Sequence, residues 1–427
     1  MKKTLTWGNL PETNTVKKIK YEKDLLKRVS GTVLTYGNGR SYGDVCLNET
    51  IIETDDLDKF IQIDQQKNLL ICSSNLTLKE ILIEIIPKGY FLPVVPGTKN
   101  ITIGGAIAND IHGKNHHSAG SFGNFVKNIK IYRSDFGVID CNYDENKSLF
   151  TSTIGGLGLT GVILSATIEL KKINSSYINQ LTKRFNSFSE FLDITNQLEK
   201  SHEYCVGWVD LANTNNFRGL VLAGNHSNYE HKNSGKKIKF YTIQFPFTLS
   251  FSLVNKLTIG ILNKLYFFAN IGERSKITNF NSFFFPLDKI EFWNKAYGKK
   301  GFYQYQFVIP NNNAETFFKE LTSVINTSKE LPALTVLKCF GKVESKGTMS
   351  FPREGITLAI DFPNKGTETL ELLNKLDELV LSYNGALYPA KDSRMPKVVF
   401  EKSFPNIDKF KKDLDPLFSS FFWERIK

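Results

Sequence analysis

The spacing of apolar positions in the first 175 residues indicates short strands, glycine turns and one good helix. The runs GTVLTYG, NETIIETD and KNLLICSS are rich in β-branched residues and are bounded by turn residues. Residues 77–88, TLKEILIEIIPK, place apolar side chains at helical spacing behind a threonine, which predicts a capped helix. The run NIKIYRSDFGVIDC predicts a hairpin that turns at Asp135, Phe136 and Gly137.

The pattern changes after residue 175. Strands such as FYQYQFVIP and ITLAIDFP alternate with helical segments such as ETLELLNKLDELVLSY, which predicts an antiparallel sheet flanked by helices. The tail then carries a polar motif, YPAKDSR, and closes with DPLFSSFFWERI. We therefore expect an α+β protein whose pattern changes near residue 175 and again near residue 385.

Composition is typical of a soluble globular protein. The 427 residues are 41% hydrophobic and 23% charged, and the chain is long enough for two domains. Five scattered cysteines without a CxxC pair predict free thiols and a reducing compartment. No apolar run follows Lys2 and Lys3, and no long uncharged apolar stretch occurs, so we expect neither a signal peptide nor a transmembrane helix.

Most of the net charge of +11 lies in one segment, residues 231–300, which contains 12 Lys and Arg but 3 Asp and Glu. Apolar runs such as FPFTLSFSLVNKLTIGILNKLYFFAN and FNSFFFPL interleave with these charges. This combination suits an anionic membrane surface or an amphiphilic phosphate substrate. It equally suits a pair of core helices with solvated lysines, and composition does not separate the two interpretations.

A first glycine loop follows the strand GTVLT. Its glycines allow backbone N–H groups to approach phosphate oxygens, and its arginine and serine add polar contacts. The loop lacks the GxGxxG pattern of a Rossmann fold, and an ordinary tight turn has a similar sequence. The residues of this loop are Gly37, Asn38, Gly39, Arg40, Ser41, Tyr42 and Gly43.

A second glycine-rich loop is followed by three histidines. Two such loops that meet on one ligand would suit the diphosphate of a dinucleotide. There is no HExxH motif at His112, His116 and His117, and no acidic residue lies between these histidines, so we expect hydrogen bonding to a ligand or within turns, and no metal. The residues of the second loop that we expect at a ligand are Pro96, Gly97, Thr98, Thr102, Gly104 and Gly105.

Four runs, taken in order, resemble one family. GNGRSYGD, PGTKNITIGGAIANDIHGKNHHSAGSFGNFV, GGLGLTGVI and YPAKDSR are similar to the FAD-dependent oxidoreductases of the vanillyl-alcohol oxidase (PCMH-type) superfamily, and most of all to its decaprenylphosphoryl-β-D-ribose 2′-oxidases. The glycine loops are specific only for the superfamily, whereas the run DIHGKNHHSAGSFGN is long and unusual enough to be specific for the narrower group.

The resemblance implies an FAD-binding domain at residues 1–175, a substrate-binding domain of antiparallel sheet and helices at 176–385, and a C-terminal return to the FAD domain at 386–427. It also implies a site for each ligand. The two loops would hold the FAD diphosphate, and the flavin would lie beside His112, Gly113, Lys114, Asn115, Ile163 and Tyr388. The substrate pocket would include Tyr42, His112, Lys114, Trp208, Gln304, Gln306, Lys338 and Lys391.

Lys391 is the first candidate for the group that polarises the reacting hydroxyl, because burial and a neighbouring cation lower the pKa of a lysine. His112 is the alternative base. Gln304 and Gln306 alternate on one strand and so face the same way, as hydroxyl recognition on a sugar requires. Lys338 is the candidate partner of a lipid-linked phosphate.

The function implied is FAD-dependent oxidation of the ribose 2′-OH of a polyprenylphosphoryl sugar. It would be the first half of an epimerisation that feeds an arabinose donor or a related cell-envelope glycan. An NAD(P)H-dependent ketoreductase would complete it, at the inner, cytoplasmic face of an anionic membrane and without nucleic acid. The alternatives are a soluble sugar, alditol or aldonolactone oxidase of the same superfamily and a non-catalytic, basic lipid-binding protein.

Two positions depart from the family pattern. Many covalent flavoproteins of the superfamily have histidine where this chain has Arg40, so we expect FAD to be bound without a covalent link. Mycobacterial members have cysteine in the strand before DFP, where this chain has Ala359, so the pocket wall differs there.

Overall fold

The computed structural model describes residues 6–10, 17–20, 31–54, 57–212, 217–228, 238 and 240–427, with the backbone alone at 17–20. The basic segment expected at 231–300 is therefore described at residue 238 and from residue 240 onward, and residues 231–237 and 239 lie outside the described part. Lys2 and Lys3, which bear on the expectation about a signal peptide, lie outside it as well.

Residues 17–175 contain small sheets connected by short helices. One sheet is parallel with the order β1-β3-β2, a second is antiparallel with the order β4-β5-β9-β7-β8, and β6 pairs with β10. The strands are β1 (Lys17–Lys20), β2 (Leu34–Tyr36), β3 (Thr50–Glu53), β4 (Ile61–Asp64), β5 (Leu69–Ser73), β6 (Tyr90–Phe91), β7 (Val126–Arg133), β8 (Gly137–Cys141), β9 (Val162–Glu169) and β10 (Lys171–Lys172). The helices are α1 (Leu78–Ile85), α2 (Ile103–Ala108), α3 (His116–Ala119) and α4 (Lys147–Thr153).

Two local predictions in this region are confirmed. Thr77 and Glu80 form a reciprocal capping box at the start of α1, so two backbone N–H groups that the helix leaves unpaired gain partners. The hairpin of β7 and β8 turns at Asp135 and Phe136, and Gly137 takes a φ of +79°, which a residue with a side chain rarely adopts.

Residues after 176 build one eight-stranded sheet with the order β15-β11-β13-β12-β18-β19-β17-β20, in which all neighbours are antiparallel. A short parallel pair, β14 with β16, lies outside it. The strands are β11 (Tyr177–Phe185), β12 (Tyr204–Val209), β13 (Gly219–His226), β14 (Ile243–Gln244), β15 (Arg274–Asn279), β16 (Ile290–Glu291), β17 (Phe302–Ile309), β18 (Thr335–Phe340), β19 (Gly355–Pro363) and β20 (Ala386–Leu387).

Helices pack against this sheet, which confirms the expected α+β class. Apolar side chains of α5, α8, α9 and α10 share one buried cluster with the sheet. The helices are α5 (Phe188–Leu198), α6 (Lys256–Phe268), α7 (Phe280–Phe284), α8 (Ala314–Ser328), α9 (Thr367–Ser382), α10 (Lys397–Ser403), α11 (Ile407–Lys411) and α12 (Phe421–Ile426).

The basic segment divides into a buried part and an exposed part. Phe280, Phe283, Phe284 and Phe285 are buried in the same cluster as α1, α2 and the five-stranded sheet. The preceding α6, in contrast, buries only Asn263 and Phe267. The core interpretation therefore holds for the run FNSFFFPL and is wrong for α6.

The C-terminal segment contacts both parts of the chain. Strand β20 pairs with β17 of the large sheet. Further on, Phe418 forms a bridge with Val33, and the Arg425 guanidinium pairs with Asp44 at 2.8 Å. The domain limits at 175 and 385 stay predictions.

All five cysteines are free thiols. In the part of the chain that the structure describes, none of the helices combines the length and the apolar character that crossing a membrane requires.

Candidate active site

A cavity of about 790 Å³ lies between the glycine loops and the large sheet. Both parts of the chain contribute to its walls, and nearly all the residues expected at FAD or substrate line it. These are Gly37, Asn38, Gly39, Arg40, Ser41, Tyr42, Pro96, Gly97, Thr98, Thr102, Gly104, Gly105, His112, Gly113, Lys114, Ile163, Trp208, Gln304, Gln306, Lys338, Tyr388 and Lys391.

Gly43 and Asn115 do not line the cavity, and each has a structural role instead. A side chain on Gly43 would meet the Asp392 carbonyl oxygen at 1.9 Å, so this glycine allows the first loop to pack on the YPAKDSR segment. The Asn115 amide is buried and donates a hydrogen bond to the Pro93 carbonyl at 2.8 Å. Both residues hold the loops that do line the cavity, and their contact with FAD stays a prediction.

The two glycine loops contact each other. The Asn38 side chain donates to the Asn100 carbonyl at 2.8 Å, and a Cβ at Gly37 would lie 2.7 Å from the Thr102 hydroxyl. Thr102 in turn accepts from the Gly105 N–H at 3.1 Å and so caps α2. The loops therefore form one continuous backbone surface on the cavity wall.

The polar atoms of the cavity fit a ligand as large and as polar as FAD. Four buried atoms of lining residues have no hydrogen-bond partner among the described residues: Thr35 Oγ1, Arg40 Nε, Asn109 Oδ1 and Gln304 Oε1. Buried polar atoms normally have partners, so a ligand with oxygen and nitrogen atoms spread over this wall would satisfy them. At Gly97 a Cβ would meet no protein atom within 4 Å, which leaves room for a diphosphate at the backbone.

His112 is fixed from both sides. Lys338 Nζ lies 2.8 Å from its Nδ1, and Gln306 Nε2 lies 2.9 Å from its Nε2 and donates to the Thr357 hydroxyl at 3.1 Å. Burial and the positive charge of Lys338 keep the pKa of His112 well below its usual value. A neutral imidazole accepts at one nitrogen and donates at the other, and here a polar side chain lies within hydrogen-bond distance of each, so the ring is suited to orienting other groups.

Three lysines, Lys114, Lys338 and Lys391, share the cavity. Their side chains are half-buried, because they face the cavity, yet they lie deep in the molecule. Burial lowers the pKa of Lys114 and that of Lys391 to about 8. Burial, together with the charges of Lys114 and Lys391, lowers the pKa of Lys338 well below its usual value. The cluster can therefore bind an anion, and part of it is neutral near physiological pH.

Lys391 has the environment of a general base. Its Nζ lies 4.0 Å from the centre of the Tyr42 ring. The pKa of Lys391 is lowered, as expected, and burial is the main cause. The neighbouring cation, Arg394, is paired with Asp377 at 2.7 Å. Asp361 acts in the opposite direction and raises the pKa of Lys391.

Sequence reasoning missed Asp361, which lies behind the cavity wall. It is fully buried, accepts from Gln304 Nε2 at 2.6 Å and from the Tyr297 hydroxyl at 3.2 Å, and burial raises its pKa to about 7. Asp361 lies in the same strand as Ala359, directly before Phe362 and Pro363, and an acidic residue inside an apolar strand is a signal that the sequence contains. Its contact with Gln304 spans adjacent strands, β17 and β19.

A second missed pair joins the second loop to the basic segment. Asp288 lines the cavity and accepts from both the backbone N–H and the ammonium of Lys99, at 2.8 and 3.3 Å. Lys99 also lies 4.6 Å from the centre of the Phe240 ring. This buried pair holds the basic segment against the loop expected to carry the diphosphate.

Helix α6 supplies the far wall of the cavity. Leu262, Asn263 and Tyr266 line it, and the Tyr266 ring meets the Trp208 ring edge-on at 4.9 Å between centroids. Trp208 was expected at the substrate, whereas the residues of α6 were expected only as part of a basic segment. Ala359 also lines the cavity, beside Gln306 on the neighbouring strand.

The other two histidines of the motif do not line the cavity. The His116 ring lies 4.2 Å from the Phe340 ring, and burial lowers its pKa to about 3. His117 Nε2 lies 3.2 Å from the His202 carbonyl oxygen, and its Nδ1 lies 3.7 Å from Glu199. Within the described ranges no three His, Cys, Asp or Glu side chains are grouped so that they could hold a metal ion.

Comparisons with known proteins give one consistent family. Residues 19–142 match the model of an FAD binding domain. The chain is 33% identical over 399 residues to the decaprenylphosphoryl-beta-D-ribose oxidase of Mycolicibacterium smegmatis, which covers 90% of this chain and 86% of that protein. It is 28% identical over 352 residues to an uncharacterised protein of Streptomyces coelicolor (79% and 94% covered), and 22% identical over 295 residues to the L-gulonolactone oxidase of Mus musculus (66% and 64%).

We expect FAD to leave the protein on acid precipitation, so that the supernatant is yellow and the pellet is colourless. Histidine and cysteine can form covalent bonds to a flavin, but the two side chains of these types that line the cavity are unsuited to that reaction. The ring nitrogens of His112 are engaged, and burial raises the pKa of the Cys46 thiol to about 12, which keeps it protonated. A pellet that stays yellow after washing would contradict non-covalent binding.

The substitution Gly97→Ala should weaken FAD binding by at least about tenfold, which corresponds to roughly 1.4 kcal/mol. The added methyl group would enter open space at the cavity wall without touching protein, so the thermal stability of the apoprotein should not change. Gly260→Ala is the matched control, because its Cβ also meets no atom but lies on α6 and outside the cavity lining. Equal FAD affinity for both variants in a fluorescence titration would remove the second loop from the FAD site.

Proposed function

This chain belongs to the family of FAD-dependent oxidoreductases that includes the decaprenylphosphoryl-beta-D-ribose oxidase of Mycolicibacterium smegmatis, and we propose that it oxidises the ribose 2′-OH of a polyprenylphosphoryl sugar to a ketone. FAD is its cofactor. The observation that supports this substrate is the union, in one cavity, of glycine loops, a lysine cluster and the apolar wall of α6. In a sugar that carries both a phosphate and a lipid, the phosphate would meet the lysine cluster and the lipid would meet the apolar wall of α6.

Oxidation of a secondary alcohol requires an acceptor for a hydride and an acceptor for the hydroxyl proton. When bound, FAD supplies the hydride acceptor. The neutral amine of Lys391 would take the hydroxyl proton, since a pKa of about 8 leaves part of the population unprotonated near neutral pH. The wall of the cavity holds the sugar in place, so that both transfers start from one bound geometry.

His112 acts in this proposal as an orienting group. Its two nitrogens hold Lys338 and Gln306 in place, which positions one cation and one amide on the same side of the cavity. Gln304 has an unpaired carbonyl oxygen that can accept a hydrogen bond from a sugar hydroxyl. Lys338 and Lys114 would bind the phosphate, because neither forms an ion pair with a carboxylate among the described residues and an anion would compensate their charge.

The product determines what must follow. A 2′-keto sugar regains a hydroxyl, with the opposite configuration, only through a hydride donor, so an NAD(P)H-dependent reductase is the proposed partner for an epimerisation. Such a reaction would supply an arabinose donor or a related cell-envelope glycan. A lipid-linked substrate also places the proposed site of action at the inner, cytoplasmic face of an anionic membrane.

Anaerobic mixing of the holoenzyme with different sugars tests the substrate class directly. Polyprenylphosphoryl ribose in detergent should bleach the flavin absorbance, whereas free ribose and L-gulonolactone should not. Bleaching by free sugars at equal concentration would favour a soluble sugar or lactone oxidase instead. A purified protein that neither contains FAD nor takes it up would favour a lipid-binding protein.

Lys391→Ala should slow anaerobic flavin reduction by about 10²–10⁴-fold, the range that a positioned general base contributes. His112→Ala should act mainly on substrate affinity, because the ring orients Lys338 and Gln306 without taking the proton. Lys397→Ala, at an exposed position of α10, is the matched control. If Lys391→Ala reduced its flavin at the wild-type rate, the assignment of the base would be wrong.

The rate of flavin reduction should rise with pH through a midpoint near 8, because only unprotonated Lys391 accepts a proton. Asp361→Asn should move this midpoint to lower pH, since the carboxylate favours the ammonium form and raises the pKa of Lys391. Single-turnover rates from pH 6 to about 10 measure both profiles and bracket the lysine range. A midpoint that stays in place or moves to higher pH in Asp361→Asn would contradict the coupling.

A further inference from the structure

Helix α6 presents its apolar side chains to the outside. Leu257 is 72% exposed, Ile261 50% and Leu265 63%, while the residues it buries are Asn263 and Phe267. A surface helix of a soluble protein normally places its apolar stripe toward the core. The orientation of α6 is therefore inverted.

Specific contacts fix this inverted orientation. The Asn263 amide donates to the buried carboxylate of Asp210 at 2.7 Å, and Asp210 also pairs with Arg218 at 2.8 Å. The guanidinium groups of Arg184 and Arg218 lie 4.4 and 4.7 Å from the centre of the Phe267 ring. The Arg184 guanidinium also donates to the Phe267 carbonyl at 2.6 Å. Rotation of α6 to bury its leucines would break all of these contacts.

The exposed apolar surface extends beyond the helix. Outside the helix, Phe247, Phe251 and Ile271 are also exposed, as is Phe268 at the C-terminal end of α6. Burial of apolar surface stabilises a protein by about 25 cal/mol per Å², and surface left in water does not contribute this stabilisation. A large exposed apolar patch therefore indicates a binding surface.

Charge identifies the partner. In residues 240–300 the exposed acidic side chain is Glu273, and it lies 2.9 Å from Lys183. An exposed apolar helix in a segment whose exposed charges are mostly positive matches the interface of an anionic bilayer, where apolar side chains enter the acyl region and lysines meet the headgroups. The exposed basic residues of the same range are Lys256, Lys264, Arg274, Lys276, Lys289, Lys299 and Lys300.

The patch is continuous with the cavity. Leu262 and Tyr266 are exposed on α6 and also line the cavity, as does Lys276 on β15. An isoprenoid chain could therefore run from the cavity across α6 into a bilayer without crossing water.

We propose that the outer face of α6 docks the mouth of the cavity onto an anionic bilayer, so that a lipid-linked substrate enters directly from the membrane. The route for the lipid rests on the proposed function, whereas docking itself does not. The residues of α6 that would enter the bilayer, Leu257, Ile261 and Leu265, are exposed and do not line the cavity.

Flotation of the holoenzyme with vesicles tests the docking. Wild-type protein should float with vesicles of equal parts phosphatidylglycerol and phosphatidylcholine, and much less with phosphatidylcholine alone or at high salt. The triple variant Leu257→Gln, Ile261→Gln, Leu265→Gln should lose at least about tenfold in vesicle affinity, since each burial contributes on the order of 1 kcal/mol or more. The control removes three exposed apolar side chains elsewhere, through Phe136→Gln, Val138→Gln and Val398→Gln, and should bind as wild type does.

Flavin reduction separates this inference from the proposed function. With a water-soluble short-chain phosphoryl ribose, the triple variant should match wild type, and with long-chain substrate in vesicles it should be slower. Unchanged vesicle binding by the triple variant overturns the docking. So does a wild-type dimer in solution that the same substitutions split, because a second copy would then cover this face. Vesicle binding that depends on α6, without flavin reduction by any phosphoryl ribose, supports docking and counts against the proposed substrate.

Discussion

Buried positive charge without equivalent negative charge is the constraint on which this site depends. Lys114, Lys338 and Lys391 lie in one cavity, and among the described residues Asp361 is the carboxylate that raises the pKa of Lys391. Desolvated cations favour either the loss of a proton or the arrival of an anion. The same constraint explains a neutral His112, a lysine that can act as a base, and a place for a phosphate.

The position of the cluster connects the two parts of the chain. Lys114 follows the glycine loops, Lys338 lies on the large sheet, and Lys391 lies in the C-terminal segment. The lysines meet only because the loops pack on the sheet, and the buried pair of Lys99 and Asp288 adds the basic segment to the same assembly. Folding thus brings the glycine loops, the three lysines and the apolar wall of α6 to one cavity.

Local sequence patterns predicted much of this arrangement. Residues that are neighbours in the sequence determine the capping box of α1, the β7–β8 hairpin and the glycine loops. The motifs YPAKDSR and DIHGKNHH identified candidate site residues through the family resemblance. The sequence was least informative where contacts between residues far apart in the chain determine the role of a residue. Gly43 looked like a phosphate contact, but its missing side chain makes room for Asp392, and Asn115 holds Pro93. Composition could not reveal that α6 turns its leucines outward, because the partners that orient it, Asp210 and Arg218, come from another part of the chain.

In the proposed complex, the phosphate of the substrate compensates the charge of the cavity lysines. Calorimetric titration of the holoenzyme near pH 8, in two buffers of different ionisation enthalpy, measures the protons exchanged on binding. Since an anion raises the pKa of a neighbouring lysine, polyprenylphosphoryl ribose should bind with uptake of protons, and a polyprenyl riboside without phosphate should bind with little or none. Equal binding enthalpies in both buffers for the phosphorylated ligand would contradict the account.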